Sequence, residues 1–303
     1  MTNGPDALSF HRKTSSGPEV EVVSNLPYRG ASGWDPALNT LDIYFNRRAS
    51  RLAKRSMVVF LHGGNWRGSD KVCFPGPPEC AMPAWFVERG FVFVSVNFRL
   101  LGSPQSPRTT LAEMADDVAK AIKWLTVNGR QYGGRPDGMT LVGFSSGAHL
   151  AALVAGDRTL RERYRLGPGI ISSVIGLDVP FYDVPVALDE IHDEVHGGAQ
   201  QSARLEAALE VFGRDRTDHV RVSPAAHIGP WLQGTKFLLL SAGLQSGRYQ
   251  DFSNRMSAHF AGLLRRHEIA ARHFHFGQME HADMLGSFRL LPARQVEHFL
   301  TSK

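Results

Sequence analysis

Met139-Thr140-Leu141-Val142-Gly143-Phe144-Ser145-Ser146-Gly147-Ala148-His149-Leu150 is the stretch that decides how this chain is read. Its first four residues form a short run of strand type. From Ala148 onward, through Ala151-Ala152-Leu153-Val154, the pattern is that of a helix opening. Between them stands Gly-x-Ser-x-Gly. A turn that tight strains the Ser145 backbone, and only glycines two residues away on each side avoid steric collision. The Ser145 hydroxyl is then held out at the carboxyl edge of a sheet, over a helix N-terminus that favours negative charge. The five-residue pattern occurs by chance in many chains. The strand before it and the helix after it make it a nucleophile elbow.

Working outward, strands are expected at about Glu19–Ser24, Leu41–Phe45, Met57–Leu61, Phe91–Asn97, Met139–Val142, Val174–Leu177, Lys236–Leu240 and Ala271–Phe276. Helical patterns fall at Ala81–Arg89, Thr110–Val127, Ser146–Ala155, Ala203–Phe212, Asp251–Arg266 and Ala293–Leu300. In the second of these, Leu111, Met114, Val118, Ala121, Ile122 and Leu125 follow the i, i+3, i+4, i+7 spacing of an amphipathic helix. Two early strands followed by alternating strands and helices predict an α/β fold with a mostly parallel central sheet of about eight strands. Runs such as Val58-Val59-Phe60-Leu61 are apolar throughout, as expected for strands covered by helices on both faces. Residues from about 181 to 234, which carry His192, His196, His219 and His227, break this alternation and read as a small cap insertion. The expected organisation is a flexible leader over 1–18 and a single domain over 19–303.

Composition narrows the partners. The 303 residues carry a net charge of +5, but the 34 Lys and Arg are scattered, with no basic run and no aromatic–basic interleaving. Nucleic-acid binding is therefore not expected. No apolar run reaches the roughly 18 residues needed to span a bilayer, and the polar start lacks the apolar core of a signal peptide. A cytoplasmic protein without membrane contact is the expectation. Cys73 and Cys80 flank a Pro-rich loop and read as free thiols, with a local disulfide as the alternative. Two cysteines without further ligands make no zinc site, and no metal or other cofactor is called for.

Three segments surround the elbow with matching chemistry. Val58-Val59-Phe60-Leu61-His62-Gly63-Gly64-Asn65-Trp66 is a buried strand ending in His-Gly-Gly. Adjacent glycines let backbone N–H groups converge on a developing oxyanion, where one such donor is worth about 3–4 kcal/mol in the transition state. The candidate donors are Gly64, Asn65 and Ser146, with His62 as a structural hydrogen-bonding residue. Gln278-Met279-Glu280-His281-Ala282-Asp283 follows the last strand. Of 13 histidines, His281 alone combines a polar loop, a place C-terminal to the elbow and closeness to the chain end. His273 and His275, alternating along the strand before it, are weaker candidates for the base. The acid should follow the strand Lys236–Leu240, and Asp251 is the one carboxylate in the loop Ser241–Phe252. Asp251 also suits a helix N-cap. Asp178 and Asp183 are held in reserve, as is a dyad without an acid.

These motifs resemble a family. His62-Gly63-Gly64-Asn65-Trp66, Asn97-Phe98-Arg99-Leu100 and Gly143-Phe144-Ser145-Ser146-Gly147-Ala148-His149-Leu150 are similar to segments of kynurenine formamidases (arylformamidases). Those enzymes lie in the α/β-hydrolase superfamily, near the hormone-sensitive-lipase-like esterases. The likeness runs from about Leu41 to the C-terminus. Asn65 stands where the formamidase motif has Tyr, and Ser246 stands where the family's acid normally falls. The resemblance implies an α/β-hydrolase fold and a serine hydrolase with catalytic Ser145 and His281. It would cleave an amide or ester of a small aromatic molecule through an acyl-enzyme. Trp66, Phe144 and Tyr249, together with Phe181 and Tyr182, are candidates for an aromatic substrate wall. A broad carboxylesterase is the first alternative and a non-catalytic binding protein on the same fold the second. A small-molecule ester or amide is the expected partner, and a homodimer is compatible with the sequence.

Overall fold

The computed structural model describes residues 9–12, 20–30, 35–48, 54–71, 81–104, 106–194, 199–244, 251–286 and 291–301. Cys73, Cys80, Ser246 and Tyr249 lie outside the described residues. The strands are β1 (Ser9–Arg12), β2 (Val20–Pro27), β3 (Thr40–Phe45), β4 (Met57–Leu61), β5 (Val92–Val96), β6 (Met139–Phe144), β7 (Ile171–Leu177), β8 (Lys236–Ala242) and β9 (Ala271–Phe276). They form one sheet in the order β1-β2-β3-β5-β4-β6-β7-β8-β9. β1, β2 and β3 pair antiparallel, whereas β5, β4, β6, β7, β8 and β9 run parallel. This is an α/β-hydrolase fold. Eight of the nine strands coincide with those expected. The ninth, β1, lies inside the stretch read as a flexible leader and pairs Ser9–Arg12 with Val20–Val23 of β2. Four residues without an apolar run give no strand signal in the sequence.

The parallel strands explain the two-sided core. Every residue of β4, β5 and β6 is buried, and alternate side chains enter opposite layers. Met57, Val59 and Leu61 of β4 join one layer, and Val58 and Phe60 join the other. The helices are α1 (Ala81–Glu88), α2 (Leu111–Asn128), α3 (Ser146–Gly156), α4 (Arg158–Arg163), α5 (Val184–Glu194), α6 (Ala199–Phe212), α7 (Arg216–Arg221), α8 (Phe252–Arg266), α9 (Asp283–Gly286) and α10 (Leu291–Thr301). The first layer takes Met114, Val118 and Ile122 of α2, Leu150 of α3 and Phe260 of α8. The second takes Phe86 of α1 and Val296 of α10. Thr110 opens α2 with a capping box, its hydroxyl accepting from Glu113 N–H while the Glu113 carboxylate accepts from Thr110 N–H at 2.9 Å.

The stretch expected as an insertion contains α5, α6, α7 and two short 3₁₀ turns between β7 and β8. It is tied to the body by the ion pair of Asp183 with His259 on α8, at 2.9 Å. Ser223 Oγ adds a tie within the stretch by accepting from Val184 N–H at 3.1 Å.

At the elbow, a Cβ on Gly143 would lie 2.2 Å from the Gly147 carbonyl oxygen, and one on Gly147 would lie 2.1 Å from that of Leu61. Both contacts are with backbone, which cannot swing aside. Gly147→Ala is therefore expected to destabilise the fold by about 3 kcal/mol or more, and Gly143→Ala comparably. Urea unfolding monitored by tryptophan fluorescence checks this, against Gly30→Ala as an uncrowded control.

Candidate active site

Ser145 joins β6 to α3 with φ 52° and ψ −125°, a left-handed conformation that a non-glycine residue adopts only under constraint. Ser145 N–H donates to the Leu177 carbonyl at 2.8 Å, fixing the elbow against the neighbouring strand end. The His62–Trp66 segment leaves β4 beside it. A Cβ on Gly63 would come within 2.8 Å of the Phe144 ring and 3.0 Å of Ser145 Cβ, so the backbone here runs against the elbow. Gly64, Asn65 and Trp66 then take φ values of 107°, 55° and 59°. The Gly64 carbonyl turns inward to accept from Arg67 and Gly68 N–H, both at 3.0 Å. Ser146 opens α3, whose first N–H groups have no intrahelical acceptor.

His281 lies in the loop after β9, its ring 4.7 Å from that of Phe144, centroid to centroid. Its Nδ1–H donates to Asp178 Oδ2 at 2.7 Å. A carboxylate only accepts, so a proton sits on Nδ1. Asp178 directly follows β7 with φ 53° and is 1% exposed. Its N–H donates to the Leu240 carbonyl at 2.8 Å, and its Oδ1 accepts from Ala242 N–H at 2.9 Å. Among the described residues, Ser145 Oγ makes no direct hydrogen bond to His281. Such contacts commonly tighten only with substrate in place.

The expected acid, Asp251, is elsewhere. It stands at the N-cap position of α8 with φ 71° and makes no capping bond with its side chain. Its carboxylate pairs with His275 Nε2 at 3.1 Å. His275 Nδ1 and His273 Nε2 both reach Ser241 Oγ, at 3.1 and 3.0 Å, which removes these two histidines from the elbow's base position. Asp183 belongs to His259. The reserve residue Asp178 is the one brought to His281. Its signal in the sequence is an Asp immediately following the apolar strand Val174–Leu177.

Three of the five aromatic candidates for a substrate wall, Trp66, Phe144 and Tyr182, are core. Trp66 is 4% exposed, its ring packed against Phe181 and Phe212. Phe144 is 5% exposed and backs His281. Trp66 Nε1–H donates to His149 Nδ1 at 3.3 Å, and His149 Nε2–H donates to the Val222 carbonyl at 2.8 Å. The first bond requires a neutral imidazole, with its proton on Nε2. Burial pushes the His149 pKa down to about 4, consistent with that state. His62 is also buried, stacked on Phe98 at 4.4 Å, with Nδ1 bonded to the Gly63 carbonyl at 2.8 Å. Its structural reading fits. Among the described residues, no three His, Cys, Asp or Glu side chains form a metal donor set, and no helix is long and apolar enough to cross a membrane.

Comparison with known proteins places this geometry. The BD-FAE family model matches residues 41–222, from β3 to the end of the segment after α7. The chain belongs to the BD-FAE family. It is 35% identical to Esterase LipQ of Mycobacterium tuberculosis over 155 residues, covering 51% of this chain and 32% of LipQ. It is 31% identical to the probable carboxylic ester hydrolase LipM of the same organism, over 63% of this chain and 42% of LipM. The match thus spans under half of those relatives' length. Among solved structures, Esterase B from Lactobacillus rhamnosis shares the fold with a TM-score of 0.67 at 18% identity, covering 93% of this chain and 84% of that one.

His149 makes a pH prediction. A folded pKa near 4 lies below the unfolded value near 6.5, so the unfolded chain binds the extra proton between them. The stability that the neutral ring contributes is intact above pH 6.5 and lost as pH falls toward 4, by about 3 kcal/mol at most. His273, also pushed down to about 4 mainly by burial, titrates in the same window. The slope of unfolding free energy against pH from 6.5 to 4 should fall by roughly half in His149→Asn, read from urea unfolding at each pH. An unchanged slope contradicts the assignment.

Proposed function

We propose that the chain is a serine-dependent carboxylic ester hydrolase that works through an acyl-enzyme on Ser145. The observation that carries this reading is the 2.7 Å bond from His281 Nδ1 to the buried Asp178 carboxylate, beside an elbow serine in the left-handed region. With Nδ1–H committed to Asp178, His281 Nε2 accepts the Ser145 proton as Oγ attacks the ester carbonyl. The oxyanion is met by the backbone N–H groups of Gly64, Asn65 and Ser146. His281 then protonates the departing alkoxide, and water attacks the acyl-enzyme by the same route.

The names carried by LipQ and LipM support an ester as the scissile bond. Cleavage of an aromatic formamide rests on the His62–Trp66 resemblance. The uncertain identity of the acid motivates the binding-only reading, and the Asp178–His281 bond counts against it.

A fluorophosphonate probe should label the wild type and not Ser145→Ala. With p-nitrophenyl butyrate, Asp178→Asn is expected to lower kcat by about 10⁴-fold, as loss of the orienting carboxylate does in other triads. Asp251→Asn should stay close to wild type. A larger loss in Asp251→Asn than in Asp178→Asn would return the acid role to Asp251. Turnover of N-formylkynurenine faster than of any short p-nitrophenyl ester would move the substrate class to aryl formamides.

A further inference from the structure

At the end of the sheet opposite Ser145, Asp178 and His281, a cleft of about 330 Å³ opens between α4, the residues leading into β7 and the turn before β8. Its volume is at the lower end of the range for small-molecule sites. We propose that this cleft, lined by Arg158, Arg161, Arg165, Leu166, Pro168 and Trp231, binds a small monocarboxylate with an apolar or aromatic body.

Arg161 carries the argument. It is 6% exposed, and its guanidinium donates to two main-chain carbonyls, Ala155 at 3.1 Å and Gly167 at 3.3 Å. Among the described residues no carboxylate pairs with it. Burial accordingly pushes its pKa below the ordinary arginine value. A buried guanidinium without a counter-ion is costly, and a carboxylate matches its fork geometry with two parallel hydrogen bonds. Other buried arginine chemistry in the chain follows the usual pattern: Arg99 donates from Nε to Asp117 at 2.7 Å.

The surroundings set the ligand's charge and body. Arg165, left-handed at φ 53°, adds a second cation to the rim with no carboxylate partner among the described residues. Arg158 is already paired with Glu162 at 2.6 Å, and that carboxylate also borders the cleft. It opposes a dianion such as phosphate more than a monoanion. The remaining lining is Leu166, Gly167, Pro168 and the Trp231 ring, against which Arg158 lies 5.8 Å from the centroid. Trp231 is fixed by its Nε1–H donating to the Gly156 carbonyl at 2.5 Å. A cation at the floor with apolar walls describes a site for an amphipathic acid. The reading does not depend on the hydrolase assignment.

Isothermal titration of benzoate, with inorganic phosphate as the second probe, tests this on the full chain carrying Ser145→Ala. One saturable benzoate site is expected, weakened at least tenfold in Arg161→Met. Because removing a buried arginine could disturb folding, Pro168→Asp on the exposed rim serves as the second variant. It should weaken benzoate at least fivefold while keeping the parent's thermal unfolding midpoint. No saturable benzoate site, or unchanged affinity in folded Arg161→Met or Pro168→Asp, overturns the proposal. Phosphate binding tighter than benzoate overturns the carboxylate class.

Discussion

The elbow end of this molecule depends on one steric fact, the direct contact of the elbow backbone with the end of β4. Gly147 lies against the Leu61 and His62 carbonyls so closely that a Cβ would sit 2.1 and 2.5 Å from their oxygens. The parallel register pairs Leu61 with Gly143. The residues leaving β4 and those leaving β6 therefore start level with each other. The turn His62–Asn65 and the start of α3 lie beside Ser145 because the strands are in register, with no loop required to find its place.

The same stepping continues across the sheet. Phe144 pairs with Leu177, Leu177 with Leu240, and Ala242 with Phe276. Each strand end hands a hydrogen bond to its neighbour: Ser145 N–H to Leu177, Asp178 N–H to Leu240, and Gly243 N–H to Phe276. The first residue past β7 is thus fixed directly beside the nucleophile strand. The loop bearing His281 is held down by Gly243 and Leu244 N–H donating to Met279, at 3.1 and 2.9 Å. On the other side, Trp66, His149 and Val222 lock the turn after the oxyanion segment to α3 and to the helical insertion. An all-neutral chain of two hydrogen bonds does this without burying a charge.

How far the sequence revealed this depends on the range of the interactions involved. The parallel strands were legible because double burial demands unbroken apolar runs such as Met57–Leu61. The elbow was legible because its glycines are required by contacts within five residues. His281 could be singled out from chain order. The carboxylate it meets could not, because that depends on which strand end lies under His281 in space, a contact 103 residues apart in sequence. Asp251 occupies the expected loop, but the α8 start turns it toward His275. Trp66 and Phe144 misled in another way. An aromatic residue beside a nucleophile has the same signature whether it faces substrate or backs the machinery, and here burial decides for the latter. β1 carries no apolar run, so only its pairing with β2 reveals it.

Burial also distinguishes the two carboxylates as partners for an imidazole that becomes cationic during reaction. The Asp251 side chain is 47% exposed, so water screens whatever it pairs with. The Asp178 side chain is 1% exposed, and two main-chain contacts, its own N–H to Leu240 and Ala242 N–H to its Oδ1, hold it without side-chain freedom. In that lower-dielectric setting the attraction between carboxylate and imidazolium is several-fold stronger than at a wet surface. The Ala242 N–H holds the carboxylate aimed at His281. In the proposed reaction this pairing of a buried, backbone-anchored carboxylate with a 45% exposed histidine would divide the work, Asp178 setting orientation and field and His281 meeting the substrate.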